Sequence, residues 1–397
     1  MMATLQRSGF PESLGTSFVS LRHLIQCLDG QRVPIDAQNR TPGSVPYWGA
    51  GTIQDYVDGY LFDEPLILLG EDGAPFNDAY RSVAHFSEGK IWANNHIHVL
   101  RVTADANPRY LTYALNCVNY AEYLSGAIIP KLTQSQMMGI KLPLPSRAQQ
   151  DSIATFLDME TAKIDHLIAK QQELIAFMTS RLQVWREHAF WGGVAHDPFL
   201  NPPDGWELLR NRHILEHIDG RSETGDEELL SVSHITGVTP RSMKNVTMFK
   251  AESTVGYKLV AKNELVINTM CAWLGALGVS EYDGIVSPAY DVYRFRDFDA
   301  VNPMFFDCAY RTTVYVRLMK ANSRGIWDSR LRLYPEMFLR LSSLVPPKDT
   351  QDYLVGENRE RTTEVEKIMH RCNKAIELLQ ERRSALITAA VTGQVEV

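Results

Sequence analysis

The stretch Asn201-Pro202-Pro203-Asp204-Gly205-Trp206 opens with the Asn-Pro-Pro that DNA amino-methyltransferases use to hold a flipped base. That chemistry needs an aromatic side chain next, to stack on the base, and a glycine-rich strand-turn-helix for the methyl donor. Position 204 is Asp, and the nearest glycine-rich segment, around Gly275 and Gly278, lacks the GxGxxG spacing. Methyl transfer is therefore not expected from this chain. Nucleotide hydrolysis fares no better: Gly89-Lys90 is followed by Ile91 where a phosphate-binding loop needs Ser or Thr. His96 and His98 stand two apart and read as two residues on one strand face, yet no Cys, Asp or Glu at ligand spacing joins them, so packing is the expected role. Pro203-Asp204 with Glu207 lacks the lysine of a nuclease centre, and no Ser-His-Asp or Cys-His pattern stands out. The expectation is no catalytic residue, no metal and no cofactor in this chain.

Composition narrows the class. A chain of 397 residues with 45% apolar content can bury more than one core. Cys27, Cys117, Cys271, Cys308 and Cys372 are odd in number and never paired as CxxC, which fits a reducing compartment rather than a disulfide framework. No secretory leader and no stretch of roughly 18 apolar residues is present, so a soluble, cytoplasmic protein is expected. The net charge of −7 speaks against nucleic acid only if charge is evenly spread, and it is not. Residues 41 to 80 hold Asp55, Asp58, Asp63, Glu64, Glu71, Asp72 and Asp78 with no Lys or Arg. Residues 309 to 332 instead hold Arg311, Arg317, Lys320, Arg324, Arg330 and Arg332 against Asp328 alone.

The elements that would carry these charges occur twice. "RHLIQCLDGQR" from Arg22 matches "RHILEHIDGRS" from Arg212 at an offset of 190 residues. Ile91–Arg101 aligns with Ile285–Phe295, and Asn107–Leu111 with Asn302–Phe306, in the same order. Each half then passes through a Pro-bounded apolar run into a long Pro-free segment that closes on a glycine, Gly192 or Gly393. In the first segment Ile164, Ile168, Ile175, Met178, Leu182 and Trp185 recur at 3-4 spacing, with Gln171 as a polar break. In the second the series is Val365, Met369, Cys372, Ile376, Leu379 and Leu386, with Arg383 interrupting. Matched seams of this kind predict two helices that pair as a coiled coil. Between them, Glu64–Gly70 and Asn263–Met270 read as buried strands. His96–Val102 and Tyr290–Phe295 alternate like half-buried strands, and Asn107–Leu124 has a helical period with Asn as N-cap. The fold expected is α/β: two similar α/β domains in tandem, residues 1–147 and 193–347, each followed by a long helix, 148–192 and 348–397, the helices packing antiparallel.

This order of elements, with "YWGAGTIQDYVDGYLFDEPLILLGEDG" (Tyr47–Gly73), "ANNHIHVL" (Ala93–Leu100), "IIPKLTQSQMMGIKLPLPSRAQQDSIATFLD" (Ile128–Asp158), "VSPAYDVY" (Val286–Tyr293) and "LITAAVTGQV" (Leu386–Val395), resembles the specificity subunit of bacterial type I restriction-modification systems. Two departures stand in the second repeat, which reads "PPKDTQ" at its helix start and places Gly356 early in that helix. The resemblance implies two target-recognition domains, each reading one half of a bipartite duplex DNA site. It also implies a helix pair that sets their spacing and docks two methylation subunits. S-adenosylmethionine, and the ATP and Mg used by a motor-nuclease restriction subunit, would belong to those partners. Which residues touch DNA does not carry over from the family, so candidates come from chemistry. Arg311, Arg317, Lys320, Arg324 and Arg330, with Asn322 and Trp327, form the main set; Arg81, Asn94, Asn95 and Lys131 form a weaker one. A coiled-coil scaffold that binds no DNA, and a methyltransferase with degenerate motifs, are the competing expectations.

Overall fold

The computed structural model describes residues 9–10, 17–126, 129–193, 197–243, 253–326, 331–395 and 397. They form two compact units, one of residues 1–173 with 371–397, the other of residues 174–370.

The first unit is built on a four-stranded antiparallel sheet of β1 (Ile25–Cys27), β2 (Leu66–Gly70), β3 (Ala84–Ser87) and β4 (Ile97–Val102), ordered β1-β4-β2-β3. Ile67, Leu69 and Leu100 face a core completed by helix α1 (Pro108–Cys117) and by Leu157 and Ile387. Leu66, Leu68, Ile97 and Val99 face the opposite core, with Phe62 and Ile91. A strand with a core on each side has no polar face, which is why every residue of β2 is buried. The same fact corrects the half-buried reading of Ile97–Val102: β4 is a central strand, covered on both faces.

The second unit repeats the plan with β5 (Leu215–Ile218), β6 (Leu265–Asn268), β7 (Leu277–Val279) and β8 (Tyr290–Phe295), ordered β5-β8-β6-β7. One face packs on Phe305, Phe306 and Phe338, the other on Val232, Val260 and Val286. Strand β8 is central and largely buried as well. Register sets the correspondence between the halves. Leu100 pairs with Cys27 and Ile67, Tyr293 with His217 and Leu265. Arg101 therefore matches Arg294, and the alignment of Arg101 with Phe295 is one residue out. Apolar pattern alone does not detect such a slip when both faces of a strand are buried.

The start of each long helix is anchored in the same way. Asn107 caps α1 by accepting from the Arg109 and Tyr110 N–H groups at 2.8 and 3.1 Å. Its own N–H donates to Gln150 Oε1 at 2.9 Å and its amide to Asp151 at 2.7 Å. In the second unit Asn302 caps α3 (Pro303–Tyr310) and makes the same two bonds to Gln351 and Asp352, both at 2.7 Å. Gln150 and Gln351 are buried, and each donates to the proline carbonyl five residues before it. "PPKDTQ" thus supplies the same glutamine as the first repeat. Helix α1 stops at Cys117, short of the predicted Leu124; Val118 turns extended and a single 3-10 turn follows at Tyr120–Glu122.

The long helices are α2 (Arg147–Ala189) and α5 (Lys348–Val391), with a short α4 (Thr313–Ala321) between. They pair antiparallel. In the first unit Asp165 takes Arg383 at 2.9 Å. In the second Thr179 meets Met369 Sδ at 4.0 Å, and Arg186 donates to Asn358 at 2.7 Å and Thr362 at 2.8 Å. Ile164, Val365 and Cys372 are buried along this seam, while Ile168, Ile175, Met178, Leu182, Trp185, Met369, Ile376, Leu379 and Leu386 are half-buried. Arg383 interrupts the apolar series because it carries the ion pair. Gly356 leaves α5 unbroken. Both helices end in the same left-handed cap: Gly192 and Gly393 have φ +76° and +70°, and the N–H beyond each returns to the carbonyl five residues back, at 2.9 and 2.8 Å.

Candidate nucleic-acid interface

In the second unit the basic segment divides between structure and surface. Arg311 follows α3 and turns inward, donating to the His234 and Ile235 carbonyls at 3.1 and 2.8 Å. Arg317 is exposed on α4. Lys320, on the same helix, places Nζ 5.3 Å from the centre of the Trp273 ring, whose indole N–H donates to the Met270 carbonyl at 3.0 Å. Asn322 ends α4 and returns its amide to the Leu318 carbonyl at 2.9 Å, a capping role. Arg324 and Arg332 then face each other across an antiparallel bridge, N–H to carbonyl at 2.9 Å in both directions. Their side chains, with Met270, Leu331, Tyr334 and Glu336, line an open cavity of about 700 Å³. Trp327 and Arg330 lie outside the described residues.

The first unit has the same loop with different charge. Ser125 and Lys131 make the bridge, at 2.9 and 2.7 Å. Leu132 beyond it donates to the Glu71 carbonyl at 2.7 Å, as Leu333 does to Thr269 at 3.1 Å. Lys131 Nζ sits 3.1 Å from Glu71, which also holds Arg32 at 2.6 Å. Burial would raise the Glu71 pKa, but the Arg32 and Lys131 bonds outweigh it and hold the carboxyl below its ordinary range. Asn94 is buried and gives its side-chain oxygen to the His96 N–H at 2.8 Å, so it shapes the loop. Asn95 is exposed beside it. Arg81 is exposed and, with Tyr80, lines a small cleft against the C-terminal part of α5 rather than the Lys131 loop.

The two histidines serve separate ends. His96 precedes the strand, exposed, with Nδ1 2.6 Å from Asp72; His98 is buried in β4 with Nδ1 2.6 Å from Asp29 and Nε2 2.8 Å from the Leu132 carbonyl. Cys27, Asp29 and His98 are the one group among the described residues close enough to hold a metal. Both imidazole nitrogens are already bonded, and burial pushes the Cys27 thiol up to about 12, so the thiolate a metal needs is disfavoured. At the matching position in β8, Asp291 takes Lys258 at 2.8 Å and His217 at 3.2 Å, the charges exchanged. Arg332, Glu71, Trp273 and Met270 were absent from the sequence candidates. Arg332 stood in plain view within the basic stretch; the others required the tertiary structure.

Residues 16–175 match the family model of the type I restriction modification DNA specificity domain. This part of the chain is similar to type I specificity subunits. A Haemophilus influenzae protein named as a putative type I restriction enzyme specificity subunit is 34% identical over 142 residues, 36% of this chain and 36% of that one. A Mycoplasma pneumoniae protein named as the N-terminus of a putative type I specificity subunit is 31% identical over 127 residues, 30% of this chain and 63% of that one. The matched stretches thus span about a third and under two thirds of these relatives. A solved structure described as the basis of complex assembly and conformational transition of the type I R-M system covers 97% of this chain and 99% of its own at 15% identity, with TM-score 0.67. That likeness is one of fold. The duplicated sheet order and the antiparallel helix pair agree with the expectation drawn from sequence. No helix is long and apolar enough to cross a membrane among the described residues.

Proposed function

We propose that the chain is the sequence-specific DNA-binding subunit of a type I restriction-modification complex, each half reading one part of a bipartite duplex site. The observation that carries this is the repetition within one chain. The same sheet order, the same Asn–Gln–Asp clamp and the same glycine cap occur twice, while the loops beside the sheets differ in charge. A repeated frame with unlike loops suits two unlike half-sites. On this reading residues 1–147 and 193–347 are the recognition domains, and the 148–192 and 348–397 helices set the spacing between half-sites. A helix of 43 residues is about 64 Å long at 1.5 Å per residue, ample for that purpose. The chain itself performs no chemistry. Two methylation subunits would bring S-adenosylmethionine, and a motor-nuclease subunit would bring ATP and Mg.

Support for partner docking comes from α2 off its seam. Leu174, Phe177 and Val184 are 40%, 62% and 66% exposed, large apolar side chains that the second unit leaves uncovered. The experiment is methylome sequencing of cells expressing the chain with its methylation subunits. A split motif is expected, and exchange of residues 1–145 for those of another such chain should change one half of it only. A continuous motif, no motif, or one untouched by the exchange refutes the proposal and favours a scaffold that binds no DNA.

A further inference from the structure

The duplication supplies an internal comparison for the place where the long helices pass the helix that the capping asparagine starts. In the first unit this place is filled. Leu157 on α2 and Ile387 on α5 share one core, and Tyr113 of α1 sets its hydroxyl 2.8 Å from Asp158 and 3.3 Å from Thr161. The cleft beside Ile387, lined by Tyr80, Asn116 and Arg383 among others, measures about 20 Å³. In the second unit the corresponding residues are Asn358, Arg186 and Cys308, by their distances along the chain from Gln351, Gly192 and Asn302. Two apolar side chains have become polar and a tyrosine has become a cysteine. A cavity of about 720 Å³ opens there, lined by these three residues and by the turn at residues 234–237.

The first unit shows that the fold does not require a guanidinium at the position of Arg186. Its Nε donates to Asn358 Oδ1 at 2.7 Å and its Nη2 to Thr362 Oγ1 at 2.8 Å, which fixes the plane of the group. The Asn358 amide donates in turn to Cys308 Sγ at 3.3 Å, so its oxygen is turned to Arg186. Among the described residues no carboxylate makes an ion pair with Arg186; Asp307 and Glu366 act on it only across space. Of its five N–H donors, the two on Nη1 and the second on Nη2 bond to no described residue. Arg311 brings a second guanidinium to the same cavity, its Nη1 3.8 Å from Asp307 Oδ2. Burial, with the charge of Arg311 behind it, holds the Arg186 pKa below its ordinary value. Burial also raises the Asp307 pKa, which weakens that carboxyl as the counter-charge. An apolar side chain in place of a buried charge is commonly neutral or stabilising, as the first unit exploits, so the charge in the second unit calls for an anion.

The class of anion follows from the other charges. The unused edge of the Arg186 fork matches the two oxygens of a carboxylate. Glu281 and Glu366, both exposed, also line the cavity and disfavour a doubly charged phosphate or a polyanion. We infer that this cavity is a carboxylate-binding site, in which Arg186, held by Asn358 and Thr362, receives one carboxylate on its free edge. The carboxylate belongs to a small free acid or to an acidic side chain of a partner chain. Such a site is independent of DNA binding.

The test is calorimetric titration of the full chain with sodium acetate, against sodium chloride at equal ionic strength, and with N-acetyl-glutamate amide as a stand-in for an acidic side chain. A saturable signal is expected from both acids, absent with chloride and weaker with inorganic phosphate. Tighter binding of the capped glutamate assigns the site to a partner's side chain, tighter binding of acetate to a free acid. Arg186→Gln should weaken the binding roughly tenfold or more, because hydrogen bonds to a charged group are lost. The double variant Arg186→Ile/Asn358→Leu installs the pair that the first unit carries, so the fold survives. It should melt no lower than wild type and bind neither acid. No saturable signal from either acid, wild-type affinity in the double variant, or phosphate preferred to both acids overturns the assignment.

Discussion

The first unit holds a cluster of largely buried charged side chains around Asp29 and His98. Asp29 accepts from His98 at 2.6 Å and from the Val99 N–H at 3.0 Å, with Arg32 close by. Burial by itself would raise the Asp29 pKa; the hydrogen bond and charge of His98, the Val99 bond and Arg32 outweigh it and leave the carboxyl below the ordinary range. His98 places one ring nitrogen on Asp29 and the other on the Leu132 carbonyl. A depressed carboxylate contributes stability that is present above its unfolded pKa, near 3.9, and lost as pH falls through the lower folded value. Stability of the first unit should thus fall below about pH 4. Asp29→Asn should cost roughly 3 kcal/mol at neutral pH, because it leaves His98 half-partnered, and should shrink the acid-dependent loss. Denaturant melts across pH check this; a variant with wild-type stability and the same acid limb would count against it.

At the scale of elements, periodicity made both long helices legible, and Gly356 is where local propensity and tertiary structure disagree. Glycine in a helix interior costs about 1 kcal/mol against alanine, yet α5 runs through it without a break. Packing along the seam and the Gln351 anchor at the helix start outweigh so small a deficit. A Cβ built on Gly356 would meet nothing within 4 Å, and its φ is not in the left-handed region. Gly356→Ala should raise stability by about 0.5–1 kcal/mol, read as a higher melting temperature. Gly192 is the opposite case: its φ is +76° and a Cβ there would lie 2.2 Å from Pro203 Cγ, so alanine at 192 should destabilise. The short helix α1 was overextended from sequence because Tyr120, buried with its hydroxyl on the Leu115 carbonyl, continued the apolar period past the true end. Asn201–Trp206, which opens like a methyltransferase motif, is a turn: Trp206 N–H donates to the Pro203 carbonyl at 2.9 Å, Gly205 takes φ +78°, and strand Glu207–Arg210 follows.

At the scale of the molecule, the compact units do not follow the order of the chain. Residues 371–397 belong to the first unit, where Ile387, Ala390 and Val391 share one core with Ile67, Leu69 and Leu100 of the sheet. Truncation after His370 should therefore open the first unit while the second keeps its core. Hydrogen exchange resolved by segment reads this: amides of Ile97–Val102 should lose protection and those of Tyr290–Phe295 keep it. Loss confined to the residues next to the cut would contradict the division. Sequence by itself determined the duplication, the two helices, the buried strands and the Asn107 cap, because each rests on local periodicity or on a short-range hydrogen bond. Only the tertiary structure decided the strand register, the pairing of Asp29 with His98, and the pairing of Lys131 with Glu71. Those depend on which residues meet across long separations in the chain, and burial on both faces of a strand erases the alternation from which register could be read.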